Sequence, residues 1–280
     1  MTLAKATTRL LLTSLISAAG LASQASADRL VSIDGSLTEI IYALGAEADL
    51  VGVDTTSIYP EAATNLPDVG YMRALSAEGI LSLAPDRVIT TADAGPADAL
   101  SQLQAAGIKI DILDNTPSLA GLISKIQSTA AVLGRREAGD DLAAQVEDEV
   151  EQAQRAIAEQ LGSLNVMFVM DGGSRGFQVA GRDTLADGVL NVAGFTNVFE
   201  AIQGYKPLTP EAAINANPDV ILMFHSQKNL EELATNPALS LTRAVQNGRL
   251  YNVDDLDLLS FGPRLGTALQ GLLERMTDHT

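Results

Sequence analysis

A chain of 280 residues with a formal net charge of −17 is repelled by phosphate backbones and by anionic lipid surfaces, which argues against nucleic acid as a partner. It has no cysteine, so disulfides, thiolate metal sites, cysteine nucleophiles and a lipid-bearing cysteine behind a leader are excluded. Its two histidines, His225 and His279, are too few and too far apart for a zinc-type cluster.

Residues 1–27 read as an address rather than a fold. Lys5 and Arg9 precede an apolar run from Leu10 to Ala22 that is too short to span a bilayer, and Ala25-Ser26-Ala27 has the small-x-small form of a signal-peptidase site. The mature chain is therefore expected to begin at Asp28, to be exported to a periplasm, and to be neither lipid-anchored nor membrane-embedded. Cleavage removes two positive charges and no negative ones, taking the net charge from −17 to −19. Roughly 250 residues remain, long for one core, so a pair of domains is expected.

The mature chain alternates short β-branched runs with helical stretches, the pattern of α/β lobes. Leu30-Val31-Ser32-Ile33 is predicted as a strand. Ser36-Leu37-Thr38-Glu39 has the form of a capping box and should open a helix that ends near Gly45. Strands are then expected from Leu50 to Val53, Arg87 to Thr91 and Ile108 to Leu113, with helices near Ser76 to Leu83 and Ala97 to Ala106. Between Arg135 and Leu161 there is no proline, and Leu142, Val146, Val150, Ala153, Ile157 and Leu161 recur every three or four residues, which predicts one long amphipathic helix. Beyond it, strands are expected from Val166 to Met170, Gln178 to Ala180, Val220 to Phe224 and Leu250 to Val253. The glycine-rich Asp171-Gly172-Gly173-Ser174-Arg175-Gly176 leads from strand to strand, which makes it a turn and not a phosphate loop.

The two halves resemble each other. Gly70-Tyr71-Met72-Arg73-Ala74-Leu75-Ser76-Ala77-Glu78 leads to Ala84-Pro85-Asp86-Arg87-Val88-Ile89, and Gly204-Tyr205-Lys206-Pro207-Leu208-Thr209-Pro210-Glu211 leads to Asn217-Pro218-Asp219-Val220-Ile221. Each copy reads as a capped short helix, a proline that stops it, and a buried strand. The expected fold is α/β: a lobe over 28–134 and a lobe over 163–280, joined by one long connector helix over 135–162, with a ligand cleft between the lobes. Catalytic signatures are missing: no G-x-S-x-G elbow, Walker A run, G-x-G-x-x-G or H-E-x-x-H is present. A secreted hydrolase would need such a constellation, and a structural envelope protein would need no ligand.

Asp68-Val69-Gly70-Tyr71-Met72-Arg73-Ala74-Leu75-Ser76-Ala77-Glu78-Gly79 resembles the haem-binding proteins of haem ABC importers. So do Val53-Asp54-Thr55-Thr56, Val179-Ala180-Gly181-Arg182-Asp183-Thr184, Gly204 to Leu208 and Phe261-Gly262-Pro263-Arg264, in register over nearly the whole mature chain. The lobe-helix-lobe plan alone is shared with cobalamin and ferric-siderophore binders, the nearest alternative; the Gly-Tyr-x-Arg segment discriminates. The resemblance implies a non-enzymatic role, haem capture for an ABC permease and its ATPase, with Tyr71 as axial ligand of the haem iron and Arg73 beside it. The chemistry agrees: phenolate is a hard anionic oxygen that suits ferric iron, and iron and a guanidinium both favour that anion. Some family members add a histidine near the loop 171–176, and this sequence has none there, so the sixth iron position is expected to be open or water-filled. Arg264 and Lys206 are candidates to meet propionates or the open iron face, with Arg175 a third; each reads equally as a surface charge. His225, at a strand end, is read as a bystander. Glu78 and Glu211, at matching places in the two copies, are implied as the acids that dock the lobes onto permease arginines, although an acid there also suits a helix N-terminus.

Overall fold

The computed structural model describes residues 28–224, 228, 230–253 and 256–278; residues 1–27, expected as a leader, and His225 and His279 lie outside them. The chain order is β1 (Leu30–Ser32), α1 (Gly35–Ala43), β2 (Leu50–Val53), α2 (Ala77–Leu81), β3 (Arg87–Thr91), α3 (Ala97–Ala105), β4 (Lys109–Leu113), α4 (Leu119–Val132) and α5 (Arg136–Gln160). It continues with β5 (Asn165–Asp171), β6 (Phe177–Ala180), α6 (Leu185–Val192), β7 (Thr196–Asn197), β8 (Tyr205–Pro207), α7 (Pro210–Ala216), β9 (Val220–Phe224), α8 (Leu230–Ala234), α9 (Arg243–Gln246), β10 (Leu250–Asn252), α10 (Leu256–Ser260) and α11 (Leu265–Thr277).

The first lobe is built on a parallel sheet of order β2-β1-β3-β4. Parallel neighbours need crossovers, and the intervening helices supply them. In the second lobe β7, β5, β9 and β10 repeat that order, all parallel. The repetition extends to detail. The Ser76 side chain caps α2 by accepting from Gly79 N–H, and Thr209 caps α7 by accepting from Ala212 N–H. Ala84 and Asn217, each just before a proline, both sit at φ 45°. Asp86 and Asp219 then clamp the first strand of their lobes alike: each carboxylate accepts a backbone N–H, from Arg29 and Asn165 respectively, at 2.9 Å. The second lobe also carries the antiparallel pair β6 and β8, with β6 joined to the C-terminal part of β5 at Val169–Asp171.

The inner strands β1, β3, β5 and β9 are buried on both faces along most of their length, as parallel strands in the middle of a sheet require. Val31, Ile33 and Val88 face a cluster completed by Ile80 and Leu103 on the outer side of the first lobe. Met167, Val169, Ile221 and Met223 do the same in the second. The alternate residues, among them Leu30, Ile89, Phe168 and Leu222, join one continuous core between the sheets, filled by α1, α4, α5, α6 and α11. The 25 residues of α5, about 37 Å of helix, are tied to both lobes: Arg135 donates to the Leu44 carbonyl at 3.2 Å, and Gln154 to the Val192 carbonyl at 2.7 Å. The lobes also meet where Gly188 of α6 faces Pro117; a Cβ there would lie 2.4 Å from the Pro117 carbonyl oxygen. Among the described residues no helix is long and apolar enough to cross a membrane.

The capping box expected at Ser36 is not used. Asp34, two residues earlier at φ 116°, caps α1 by accepting from the Ser36 amide at 2.8 Å. Ser36 and Glu39 are instead inside the helix and buried, the first turned to Lys125 and the second to Arg264.

Candidate functional site

In open α/β sheets, ligands bind at the C-terminal ends of the strands. In the first lobe those ends lead to Asp34, Asp54, Asp93 and Asn115, and the 68–75 loop is hydrogen-bonded to two of them. Val69 N–H bonds to the Val53 carbonyl at 2.9 Å and Thr55 N–H to that of Gly70 at 3.2 Å, while Gly95 exchanges backbone bonds of 2.9 Å with Met72 and Leu75. Val69, Met72 and Leu75 sink into the outer core, one residue in three. The residues between them are left outside, and Gly70, at φ 94°, allows the chain to turn. This is why Tyr71 keeps 43% of its surface exposed despite its large apolar ring.

Arg73 shares that exposed side. Its Nη1 donates to the Tyr71 hydroxyl at 2.9 Å and its Nη2 lies 4.0 Å from an Asp93 carboxylate oxygen. Partial burial works against the guanidinium charge, but the Tyr71 oxygen and the Asp93 and Asp34 carboxylates outweigh it and hold Arg73 above its ordinary pKa. The structure thus brings Tyr71 and Arg73 together as a charged donor on a phenol oxygen.

A buried polar network lies behind this wall. Asp54 accepts from the Asp34 amide at 3.1 Å and from the Ser57 and Thr56 hydroxyls at 2.8 and 2.7 Å. Burial nevertheless raises its pKa above the usual carboxylate value. Lys125 of α4, 1% exposed, donates to Ser36 Oγ and to Asn115 Oδ1, each at 2.7 Å, and burial lowers its pKa. Sequence reasoning missed Asp93, Asn115 and Lys125. The first two follow β3 and β4 directly, a position that could have flagged them. A single lysine in Leu122-Ile123-Ser124-Lys125-Ile126 carries no such signal.

In the second lobe, Tyr205 opens β8 and is half-buried against the core. Burial, the largest influence on its phenol, pushes its pKa up, while the charge of Arg73 acts on it in the opposite sense. Lys206 follows on β8, where successive side chains take opposite faces, and it is exposed. Arg175 is exposed in the 173–175 turn between β5 and β6. Lys228, not foreseen from the sequence, bonds to Asp171 at 2.5 Å and lies 5.3 Å from the Phe177 ring centre. Arg264 is not brought to Tyr71 and Arg73. Its guanidinium forks onto the buried Glu39 carboxylate, at 3.1 Å through Nε and 2.7 Å through Nη2, and pairs with Asp257. It also stacks 3.5 Å from the Tyr59 ring centre. Glu39 belongs to α1 and Arg264 stands just before α11, so this pair ties the first helix to the last at the lobe junction. Glu78 and Glu211 are exposed in the first turns of α2 and α7, at equivalent places.

Among solved structures, the chain is similar to the periplasmic heme-binding protein RhuT from Roseiflexus sp. RS-1, with 41% identity, 90% of this chain and 98% of that one covered, and a TM-score of 0.84. It is equally similar in shape to the periplasmic heme-binding protein BhuT in complex with two hemes, at 38% identity, 90% and 98% coverage and a TM-score of 0.84. A vitamin B12-binding protein of Yersinia pestis is 28% identical over 266 residues, which cover 94% of this chain and 91% of the relative. The family model described as periplasmic binding protein matches residues 30–256. With that match over most of its length, and with two repeated lobes joined through a helical layer, the chain belongs to the periplasmic binding protein family.

Proposed function

We propose that this chain captures haem in the periplasm and hands it to an ABC permease and its ATPase, without catalysis of its own. The observation that carries the reading is the Tyr71–Arg73 pair: a phenol oxygen, half exposed at the strand-end face, with a guanidinium fixed on it at 2.9 Å. Phenolate, the anion such a side chain offers to a metal, is a fitting axial ligand for ferric haem. Similarity to two heme-binding proteins at 41% and 38% identity supports haem over a corrinoid, for which the relative is 28% identical.

In this reading residues 28–134 and 163–280 are the two lobes, 135–162 is the connector, and the mature chain starts at Asp28 and carries no lipid. Arg175 and Lys206 offer positive charge for propionates. Arg264, with its guanidinium already forked onto Glu39, contributes by holding the lobe junction. Glu78 and Glu211 dock the lobes onto the permease.

Titrating the purified protein with hemin while recording the visible spectrum tests the reading. A saturable Soret change with a tyrosinate-to-iron charge-transfer band is expected. Absence of that change, or tight uptake of cobalamin with no response to hemin, overturns it.

A further inference from the structure

We propose that Lys125, Asn115 and Asp93 form a supporting chain that holds Arg73 against the Tyr71 oxygen and so tunes the bond that Tyr71 makes to haem iron. This rests on the reading of Tyr71 as the iron ligand. The chain is continuous. Lys125 Nζ donates to Asn115 Oδ1 at 2.7 Å, Asn115 Nδ2 donates to Asp93 Oδ2 at 3.2 Å, Asp93 Oδ2 lies 4.0 Å from Arg73 Nη2, and Arg73 Nη1 donates to the Tyr71 hydroxyl at 2.9 Å. Its four supporting residues come from four places: the loop after β2, the ends of β3 and β4, and the middle of α4. Local sequence cannot bring them together; the sheet order does.

Each link does something the next one needs. A buried ammonium is costly unless its protons are taken up, and an apolar side chain of similar volume would avoid that cost. Lys125 has acceptors: Ser36 Oγ, itself bonded to the Asp34 carboxylate at 2.7 Å, and the Asn115 oxygen. An amide can face either way round, but a lysine on its oxygen leaves only the NH2 to point outward. Asn115 therefore presents a donor to Asp93 and cannot present an acceptor. The carboxylate, held from behind, stays beside Arg73. The Arg73–Asp93 pair is half exposed, at 52% and 45% of the two side-chain surfaces, and such a pair alone fixes little. A flat apolar ligand laid over this wall removes the water, and the same pair then acts in a lower dielectric. With Arg73 fixed on one side of the phenol oxygen, the remaining lone pair is left in a defined direction for the metal.

The test measures hemin affinity, the charge-transfer band and the ligand-free melting temperature for Asp93→Ala, Asn115→Ala, Lys125→Met and Arg73→Ala in the mature protein. Removing an outer hydrogen-bond partner of a metal ligand typically costs 10–100-fold in affinity. Asp93→Ala and Asn115→Ala are each expected to weaken hemin about tenfold and to move the band, with little change in melting. The discriminating measurement is the double variant. In an Arg73→Ala background neither substitution should cost anything further, because both act only through Arg73. Additive losses, or wild-type affinity and band position in the single variants while Tyr71→Phe still abolishes the band, overturn the chain and leave the Tyr71 reading standing. A folded Lys125→Met protein should match Asn115→Ala, and a normal band in it removes the lysine from the chain. Where Lys125→Met does not fold, Asn115→Ala decides. A wild-type protein without the band overturns both readings at once.

Discussion

The two lobes carry the same tyrosine and treat it in opposite ways. Gly70-Tyr71 and Gly204-Tyr205 stand at matching places before a capped helix, a left-handed residue, a proline and an aspartate clamp. In the first lobe the segment is a loop whose anchors at 69, 72 and 75 leave Tyr71 outside. In the second, β6 occupies the end of β5 and recruits residues 205–207 as β8, so Tyr205 is drawn half-buried against the core. Of these two matching tyrosines, the one in the loop keeps its phenol outside and the one on the β6–β8 pair does not.

Exchanging each tyrosine for phenylalanine breaks the comparison most directly. Tyr71→Phe keeps the ring and removes the oxygen, so the charge-transfer band should vanish and hemin affinity should fall by more than the roughly 10–100-fold that loss of an outer partner costs. Tyr205→Phe should leave the spectrum alone and change stability by no more than about 1 kcal/mol, since only a half-buried hydroxyl is removed. Visible spectra and urea unfolding of both variants check this. An unchanged band in Tyr71→Phe would reassign the ligand, with Tyr205 the first to examine.

A second comparison asks where the lobes remain alike. Glu78 and Glu211 sit in equivalent first turns and are both exposed. Reversing both to lysine should leave hemin binding near normal and strongly impair uptake by cells carrying the permease, since like charges across an interface cost several kcal/mol. Normal uptake by the double variant would reduce both residues to helix-terminus acids.

Hydrophobic runs and punctuation carried the strands well: β2, β3 and β9 have the bounds that composition suggests, because parallel strands are buried on both faces and read as plain apolar runs. The long helix was legible from its apolar spacing. The α1 cap was not, since Ser36 and Glu39 match a capping box locally while their partners, Lys125 and Arg264, are 89 and 225 residues away. The contact between Tyr71 and Arg73 was legible because they are two residues apart. Asp93 and Asn115 carried only the weaker signal of their places after β3 and β4, and Lys125 carried none, because only tertiary packing makes the three neighbours. Arg264 was read as a ligand candidate for the same reason: a conspicuous arginine shows its charge in the sequence, but not the carboxylate already taken by it.

That carboxylate gives the third prediction, at the junction where the lobes stop being separate. Glu39 is 7% exposed, and burial raises its pKa even against the Arg264 guanidinium. Removing the partner leaves a buried charge unpaired, a change that costs 3–5 kcal/mol in fully buried pairs. Arg264 is a quarter exposed, so Arg264→Ala is expected to cost about 2–3 kcal/mol in urea unfolding at neutral pH, without moving the charge-transfer band. A shifted band with unchanged stability would return Arg264 to the ligand.

The smallest expected effect separates the two aspartate clamps. Asp219 accepts from the Asn165 amide and side chain at 2.9 and 3.0 Å and pairs with Arg243. Burial opposes its ionisation, but the Asn165 bonds and the nearby Arg243 and Arg249 charges prevail and hold its pKa below 3.8. A carboxylate whose folded pKa lies below its unfolded value adds stability that is present above the unfolded value and lost as pH falls through the folded one. Asp219→Asn keeps one acceptor oxygen and removes the charge. Its deficit should be about 1 kcal/mol at pH 7 and should shrink toward zero as the pH is lowered below 3.8. Urea midpoints of variant and wild type at both ends of that range measure the difference. If the deficit is the same at both, the clamp works by geometry alone, and the pairing of Arg243 with Asp219 contributes nothing to it.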